Sequence, residues 1–254
     1  MILVLAGTKD GRQLAANLAQ AGHQVVVSVV SKHGRDLAAQ NNLVVNTDKL
    51  DANAMVQFIQ FNHIKLVIDG SHPYAVNVSQ NAIKACQITN TKYLRYERPA
   101  LDLPYYDKLH IVTSYHQAAR QAANLGQVIF LTTGSRMLGI FTAEPKLKNH
   151  RLIARVLPDP QVITQCVELG FGLNDIIALQ GPFSHQLNYA MFKDFGAEVL
   201  IMKNSGQIGG SDTKLSAAME LNLSIIVIDR PKINYDKVVF NYDQILEYVQ
   251  EVFK

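Results

Sequence analysis

Short, uninterrupted apolar runs alternate along the chain with longer stretches in which apolar residues recur at helical spacing. An apolar run without polar interruption marks a strand covered on both faces, as in a parallel sheet flanked by helices. In the first part of the chain Ile2–Ala6, Gln24–Val30, Leu66–Asp69 and Lys92–Arg95 read as such strands, with a shorter one near Leu43–Val45. Helices are expected at Gly11–Ala21, with Leu14, Ala15, Leu18 and Ala19 on one face, at Asp51–Asn62, with Met55, Phe58 and Ile59 in register, and at Val76–Cys86. Ser31–Gln40 reads as a loop and short helix.

The rhythm breaks at Arg98–Tyr106, which holds two prolines and no period. It then restarts. Strands are expected at His110–Thr113, Val128–Thr132, Leu152–Val156, Asp175–Leu179, Val199–Met202 and Ser224–Asp229. A capping box at Ser114–Gln117 opens a helix to Leu125, and further helices are expected at Ser135–Phe141, Pro160–Leu169, Ser184–Phe195, Ser211–Leu221 and Asp243–Phe253. The pattern predicts an α/β fold: two similar parallel-sheet domains, 1–98 and 109–254, joined by a linker at 99–108, with a cleft between them. The final helix, with Ile245, Leu246, Val249 and Phe253 as its apolar stripe, is expected to pack on the sheet of its own domain rather than on another subunit.

Several strand runs end in a small polar cassette, and in a parallel sheet those ends share one edge, where such folds bind ligands. Gly7-Thr8-Lys9-Asp10-Gly11 lies between a strand and an amphipathic helix, the setting in which backbone N–H groups and a threonine hydroxyl hold a phosphate. It departs from GxGxxG, and the plain alternative is a tight turn capped by Asp10. After the second strand, where an acid would bond the ribose of NAD, stand Ser28, Ser31 and Lys32. Hydroxyls and a cation there suit a 2′-phosphate, hence NADP, and the missing acid counts against S-adenosylmethionine; the alternative is a solvated Lys32. Ser71-His72-Pro73-Tyr74 follows the strand ending at Asp69. His72 would contact an anionic ligand or act as an acid, Ser71 could instead cap a helix, and Pro73 fits a first helical turn. Arg95 and Arg98 match carboxylates, or pair structurally around Glu97. In the second half Thr133, Gly134 and Ser135 repeat the strand–glycine–helix logic, and Arg155 ends another strand with a cation. Gln180, Gly181 and Pro182 make a turn carrying Phe183, which could pack on a flat ring. Lys203, Ser205, Gly206, Gly209, Gly210 and Lys214 form a glycine-rich stretch with two cations before a helix.

Composition narrows the field. Across 254 residues the net charge is +3 with dispersed basic residues, which gives nucleic-acid binding little support. Cys86 and Cys166 lie in apolar helical patterns without metal-ligand spacing, so buried reduced thiols and no metal are expected. Met1–Leu5 is too short for a membrane span and lacks a basic flank, so a cytoplasmic protein without membrane association is expected. HExxH and Walker A sequences and a Ser/His/Asp set at known spacing are lacking, which leaves zinc proteolysis, P-loop ATP hydrolysis and nucleophilic hydrolysis unsupported.

Taken in order, the cassettes resemble the precorrin-6A reductase family, including its cobalt-precorrin-6A counterpart in cobalamin (vitamin B12) biosynthesis. The resemblance runs from Gly7-Thr8 to Arg230-Pro231 and includes Asp69–Ala75, Leu94–Pro99, Thr132–Ser135, Arg155–Pro158, Gln180–Ser184, Lys203–Gly210 and Lys214 with Ala217-Ala218. Departures are mild: the family more often shows Gly-Gly-Thr at Ala6-Gly7-Thr8, glutamate at Asp10, Ala-Thr at Gly70-Ser71, phenylalanine at Tyr74 and an acid at Asn204. The resemblance implies two Rossmann-like parallel-sheet domains, an NADPH-binding one at 1–98 and a second at 109–254 that completes a cofactor and tetrapyrrole cleft. The implied reaction moves a hydride from NADPH to a ring double bond and adds a proton to the neighbouring carbon. Under it the cassette glycines, hydroxyls and small loops, with Lys9, Asp10, Lys32, His72, Pro73 and Lys203, hold the cofactor. Arg95, Arg98, Arg155 and Lys214, with Gly209 and Gly210, serve the substrate, and Tyr74 and Phe183 pack against its ring or the nicotinamide. His72 is the first choice of proton donor, Lys203 the second and a bound water the third. The competing readings are an S-adenosylmethionine-dependent tetrapyrrole methyltransferase and a non-catalytic NADPH-binding protein. A monomer is expected.

Overall fold

The computed structural model describes residues 1–29, 34–36 and 43–254. The chain forms two units, Met1–Pro99 with Pro231–Lys254, and Ala100–Arg230.

In the first unit the apolar runs become strands β1 (Ile2–Leu5), β2 (Val25–Ser28), β3 (Val44–Asn46), β4 (Leu66–Asp69) and β5 (Lys92–Tyr96). Helices α1 (Lys9–Gln20), α2 (Ala52–Phe61) and α3 (Val76–Thr89) connect them. The side-chain alternation of β1 feeds both faces of the sheet. Ile2 and Val4 pack with Leu14 and Leu18 of α1, while Leu3 and Leu5 pack with Met55 and Ile59 of α2 and Ala82 and Ala85 of α3. That two-sided burial explains why the run has no polar break.

The second unit holds β6 (Leu109–Val112), β7 (Val128–Leu131), β8 (Arg151–Val156), β9 (Ile176–Ala178), β10 (Val199–Lys203) and β11 (Ser224–Ile228). Its helices are α4 (Tyr115–Ala122), α5 (Leu138–Thr142), α6 (Pro160–Glu168), α7 (His185–Asp194) and α8 (Ser211–Glu220). Phe130, Ile153, Leu200 and Met202 face Met191 and Phe192 of α7 and Leu215 and Ala218 of α8.

The chain ends in β12 (Val238–Val239) and α9 (Tyr242–Phe253). β12 pairs in parallel with β5, Val238 opposite Arg95, and α9 buries Ile245 and Val249 against Ile2, Val4 and Leu14. This corrects the expected second domain of 109–254: residues 231–254 belong to the first unit, and the final helix packs on that unit's sheet. The expected linker also differs. Residues from Ala100 belong to the second unit, where Leu101, Leu103 and Tyr106 pack on its core. Leu101 exchanges two hydrogen bonds with Asn204, at 2.9 and 2.8 Å, which fixes the strap in place.

Both six-stranded sheets are parallel throughout, ordered β12-β5-β4-β1-β2-β3 and β6-β11-β10-β7-β8-β9. Numbered from each unit's central strand, both follow the Rossmann order 3-2-1-4-5-6. The strand that follows β5 in the chain is the sixth of the second sheet, and the last strand of the chain is the sixth of the first. The order reverses beside β1 and β4 in one unit and beside β7 and β10 in the other, so the two ligand-favouring crevices fall on cassettes named from sequence.

Candidate active site

At the first switch point the turn after β1 meets the turn after β4. Thr8 caps α1, its Oγ1 accepting from the Gly11 N–H at 3.1 Å and donating to the Gly70 carbonyl at 3.0 Å. This corrects two expectations: the cap is Thr8 rather than Asp10, and the Thr8 proton goes to the protein rather than to a phosphate. Gly11 is buried for the same reason. A Cβ there would stand 2.8 Å from the Gly70 carbonyl oxygen, so glycine permits turn-to-turn contact rather than approach of a ligand. Gly7 differs: it is exposed and has open space where a Cβ would point. Beyond it the first N–H groups of α1 have no intrahelical acceptor, as in any helix. Asp10 is paired with Arg98 at 3.0 Å, which binds the Arg98 guanidinium back to α1. Lys9 is exposed. Ser28 is buried and its Oγ accepts from Asn46 at 3.4 Å, while Ser31 and Lys32 lie outside the described residues.

Asp69 and Arg95 form the buried centre behind this edge. Both are 0% exposed, with Arg95 Nη1 3.0 Å from Asp69 Oδ1. Asp69 also accepts from the Ser71 N–H at 2.9 Å, Ser79 Oγ at 2.6 Å and the Tyr93 hydroxyl at 2.8 Å. Arg95 donates to the Asp69 carbonyl, to Ser71 Oγ and to Glu97, and lies 5.3 Å from the centre of the Tyr235 ring. Burial is the largest single influence on the Arg95 pKa and would lower it, but the fields of Asp69, Tyr235, Glu97 and Tyr93 together outweigh it and the net shift is upward. Burial, then the Asp69 charge, drives the Tyr93 phenol upward. Arg95 is therefore a structural ion pair and not a substrate contact, because its donors point inward. Its effect is on the turn it holds: Ser71 through His72 to Tyr74. That turn precedes α3 and is not part of it, which corrects the placement of Pro73 in a first helical turn and of Ser71 as a cap; the cap position is Ala75. Within the turn the Tyr74 N–H donates to His72 Nδ1 at 3.2 Å, so the neutral imidazole carries its proton on Nε2. Tyr74 is half-buried, its ring tilted against that of His72 with centroids 5.6 Å apart.

At the second switch point Thr133 is buried, and its Oγ1 has no hydrogen-bond partner among the described residues. Gly134 takes the turn at φ +81°, and Ser135 opens a short 3-10 turn before α5. Across β10, Lys203 is half-buried at the strand end. The loop beyond it is closed by Ser211, whose Oγ accepts from the Ser205 N–H at 3.0 Å. Gly206 and Gly210 adopt φ +73° and +64°, values that glycine supplies without strain. Gly210 also lets the Gln180–Phe183 loop approach, since a Cβ there would stand 3.1 Å from Pro182 Cβ. Lys214 is buried and donates to the Gly209 carbonyl at 3.3 Å, holding the same loop from beneath. Gln180, Gly181 and Pro182 are exposed, with a cis Gly181–Pro182 bond. Arg155, near the end of β8, is 8% exposed under the Phe183 ring, 4.6 Å from its centre.

Sequence reasoning named Asp69 only as a strand end and missed its buried pairing with Arg95, and it gave Tyr93, Ser79, Tyr235 and Asn188 no role. A buried acid closing an apolar strand run, Leu66-Val67-Ile68-Asp69, was the one available signal.

Comparison with known proteins agrees with this architecture. The model of the family described as Precorrin-6x reductase CbiJ/CobK matches residues 1–250. A cobalt-precorrin-6A reductase of Priestia megaterium is 39% identical over 247 residues, 97% of this chain and 96% of its own. Another, of Salmonella typhimurium, is 38% identical over 231 residues, 91% of this chain and 87% of its own. The solved structure of CobK precorrin-6A reductase matches with a TM-score of 0.81 at 25% identity, covering 99% of this chain and 97% of that one. With both Rossmann-ordered sheets and the full run of strand-end cassettes in place, the chain belongs to the Precorrin-6x reductase CbiJ/CobK family.

Proposed function

We propose that this protein is an NADPH-dependent cobalt-precorrin-6A reductase of cobalamin biosynthesis, an oxidoreductase acting on a CH–CH group. The observation that carries the reading is the family match over nearly the whole chain. The cobalt form of the substrate is favoured because relatives at 39%, 38% and 32% identity are named for it, whereas the metal-free name occurs at 28% and 26%.

The residues fit a dinucleotide. Gly7 is exposed at the opening of α1, and a buried Thr133 hydroxyl without a partner among the described residues is otherwise an uncompensated polar group. When bound, NADPH supplies the hydride, and the protein's task is to position two ligands and to manage a proton. Gly7 and the first N–H groups of α1 would hold phosphate oxygens. Thr133, Gly134 and Ser135 would do the same at the second switch point, with Lys203 at the neighbouring strand end. His72 holds a proton on Nε2 through the Tyr74 N–H bond to Nδ1, which suits it to donate to the carbon beside the one reduced. Tyr74 and Phe183 would pack against the ring or the nicotinamide. The substrate is a flat, carboxylate-rich tetrapyrrole, and no helix of the described residues is long and apolar enough to cross a membrane.

An anaerobic assay tests the reading. Purified protein with cobalt-precorrin-6A is expected to oxidise NADPH and give a product heavier by two hydrogen atoms. His72→Ala is expected to lower kcat by about 10²–10⁴-fold, the usual range for a lost general acid. Unchanged kcat in that variant would remove His72 as the donor, and methyl transfer from S-adenosylmethionine in place of reduction would overturn the function.

A further inference from the structure

We propose that Arg155 is an oxyanion-binding residue of the second unit, kept without a counter-ion so that a carboxylate or phosphate of a bound ligand can supply one. The identity of those ligands rests on the reductase reading above.

The contrast with Arg95 shows what is unusual. Both guanidiniums are buried, but Arg95 has Asp69 and Glu97, whereas no carboxylate pairs with Arg155 among the described residues. Its Nη1 donates to Asn188 Oδ1 at 2.8 Å and approaches Met191 Sδ at 3.9 Å. Nε and Nη2 donate to nothing among the described residues, and neither is sealed from solvent. Desolvation lowers its pKa to about 10, so the group still carries its charge at neutral pH.

The surroundings look built to aim that charge. Asn188 is itself fully buried, and its Nδ2 donates to the carbonyls of Phe183 at 3.3 Å and Ser184 at 2.9 Å. Those bonds fix the amide so that its oxygen faces Arg155. The rings of Phe183, Phe130 and Phe192 lie 4.6, 5.8 and 5.9 Å from the guanidinium carbon, which shields the cation and leaves the fork to bond. A neutral side chain of similar volume would fill this place without stranding a charge, so stability alone does not account for an arginine. Position agrees. Arg155 lies near the end of β8, the second strand of a sheet in 3-2-1-4-5-6 order, where an arginine accommodates the 2′-phosphate of NADP. A tetrapyrrole carboxylate is the other source of the same chemistry, and the fork fits either.

The test compares wild type with Arg155→Met and Asn188→Asp in the NADPH and cobalt-precorrin-6A assay, with thermal unfolding of the ligand-free proteins. Asn188→Asp leaves the arginine but gives it an internal carboxylate. Both variants are expected to raise one KM at least 10-fold, and Tm is expected to hold or rise in Arg155→Met. A raised tetrapyrrole KM with NADPH KM within twofold assigns the oxyanion to the substrate. A raised NADPH KM, with the preference over NADH lost, assigns it to the 2′-phosphate. Both KM values within twofold of wild type, in either variant that folds, overturn the proposal; a fall in Tm for Arg155→Met alongside them makes Arg155 structural. Wild-type turnover with unaffected variants sinks Arg155 alone. No turnover in the wild type sinks the reductase reading, and this proposal with it.

Discussion

Asp69 is the residue on which the first switch point depends. It accepts from a backbone N–H, two hydroxyls and a guanidinium, all inside the protein. Removing its charge leaves the buried Arg95 only the longer Glu97 contact at 3.4 Å, and breaking a buried pair in this way costs about 3–5 kcal/mol. Asp69→Asn is expected to lower the urea-unfolding free energy by that amount, and a loss under 1 kcal/mol would mean that the network is not what holds the turn. Cys86 gives a pH-dependent counterpart. Burial, then the Asp69 charge, pushes its thiol from an ordinary 9.0 up to about 12. The folded state therefore keeps a proton that the unfolded chain releases, so stability falls as pH rises from about 9 to about 12. At pH 8 Cys86 is expected to react with a thiol reagent only on unfolding; rapid labelling of the native protein at Cys86 would contradict this. At this scale the sequence showed which residue types stood at the strand ends but not their partners. Arg95 looked available for carboxylates because Asp69, twenty-six positions away, is brought to it only by the β4–β5 pairing. Asn188 carried no signal, since its partner Arg155 lies on another element.

The elements were the most legible level. Apolar runs buried on both faces read as strands, and α1 showed its buried face in Leu14, Ala15 and Leu18. What failed was assignment by neighbourhood in the chain. β12 is two residues long and has no periodicity to detect; its place is set by pairing with Arg95 and Tyr96. With that strand unseen, α9 was assigned to the domain preceding it in sequence. Ile245 of α9 is fully buried against the first unit's sheet, so Ile245→Ala is expected to cost about 2–5 kcal/mol, measured by chemical denaturation. The sharper check is where the damage falls. Hydrogen exchange should quicken in β1 and α1 of the first unit and not in β10 and β11; the reverse pattern would contradict the packing.

At the scale of the whole molecule, one strand order is used twice, and each copy places polar cassettes at its switch point. The repeated strand–glycine–helix rhythm made this visible in the sequence, and the family match over residues 1–250 gives it a chemical context. The nucleotide preference was less legible: Ser31 and Lys32 lie outside the described residues, while Arg155, with no paired carboxylate among the described residues, stands at the equivalent strand end of the second unit. The proposed reduction of a tetrapyrrole by NADPH is tested most directly by anaerobic turnover of cobalt-precorrin-6A followed in parallel with NADPH and NADH. Tetrapyrrole-dependent oxidation is expected, with clear preference for NADPH and one cofactor consumed per product formed. Cofactor oxidation without the tetrapyrrole, or none with it, would rule out a tetrapyrrole reductase.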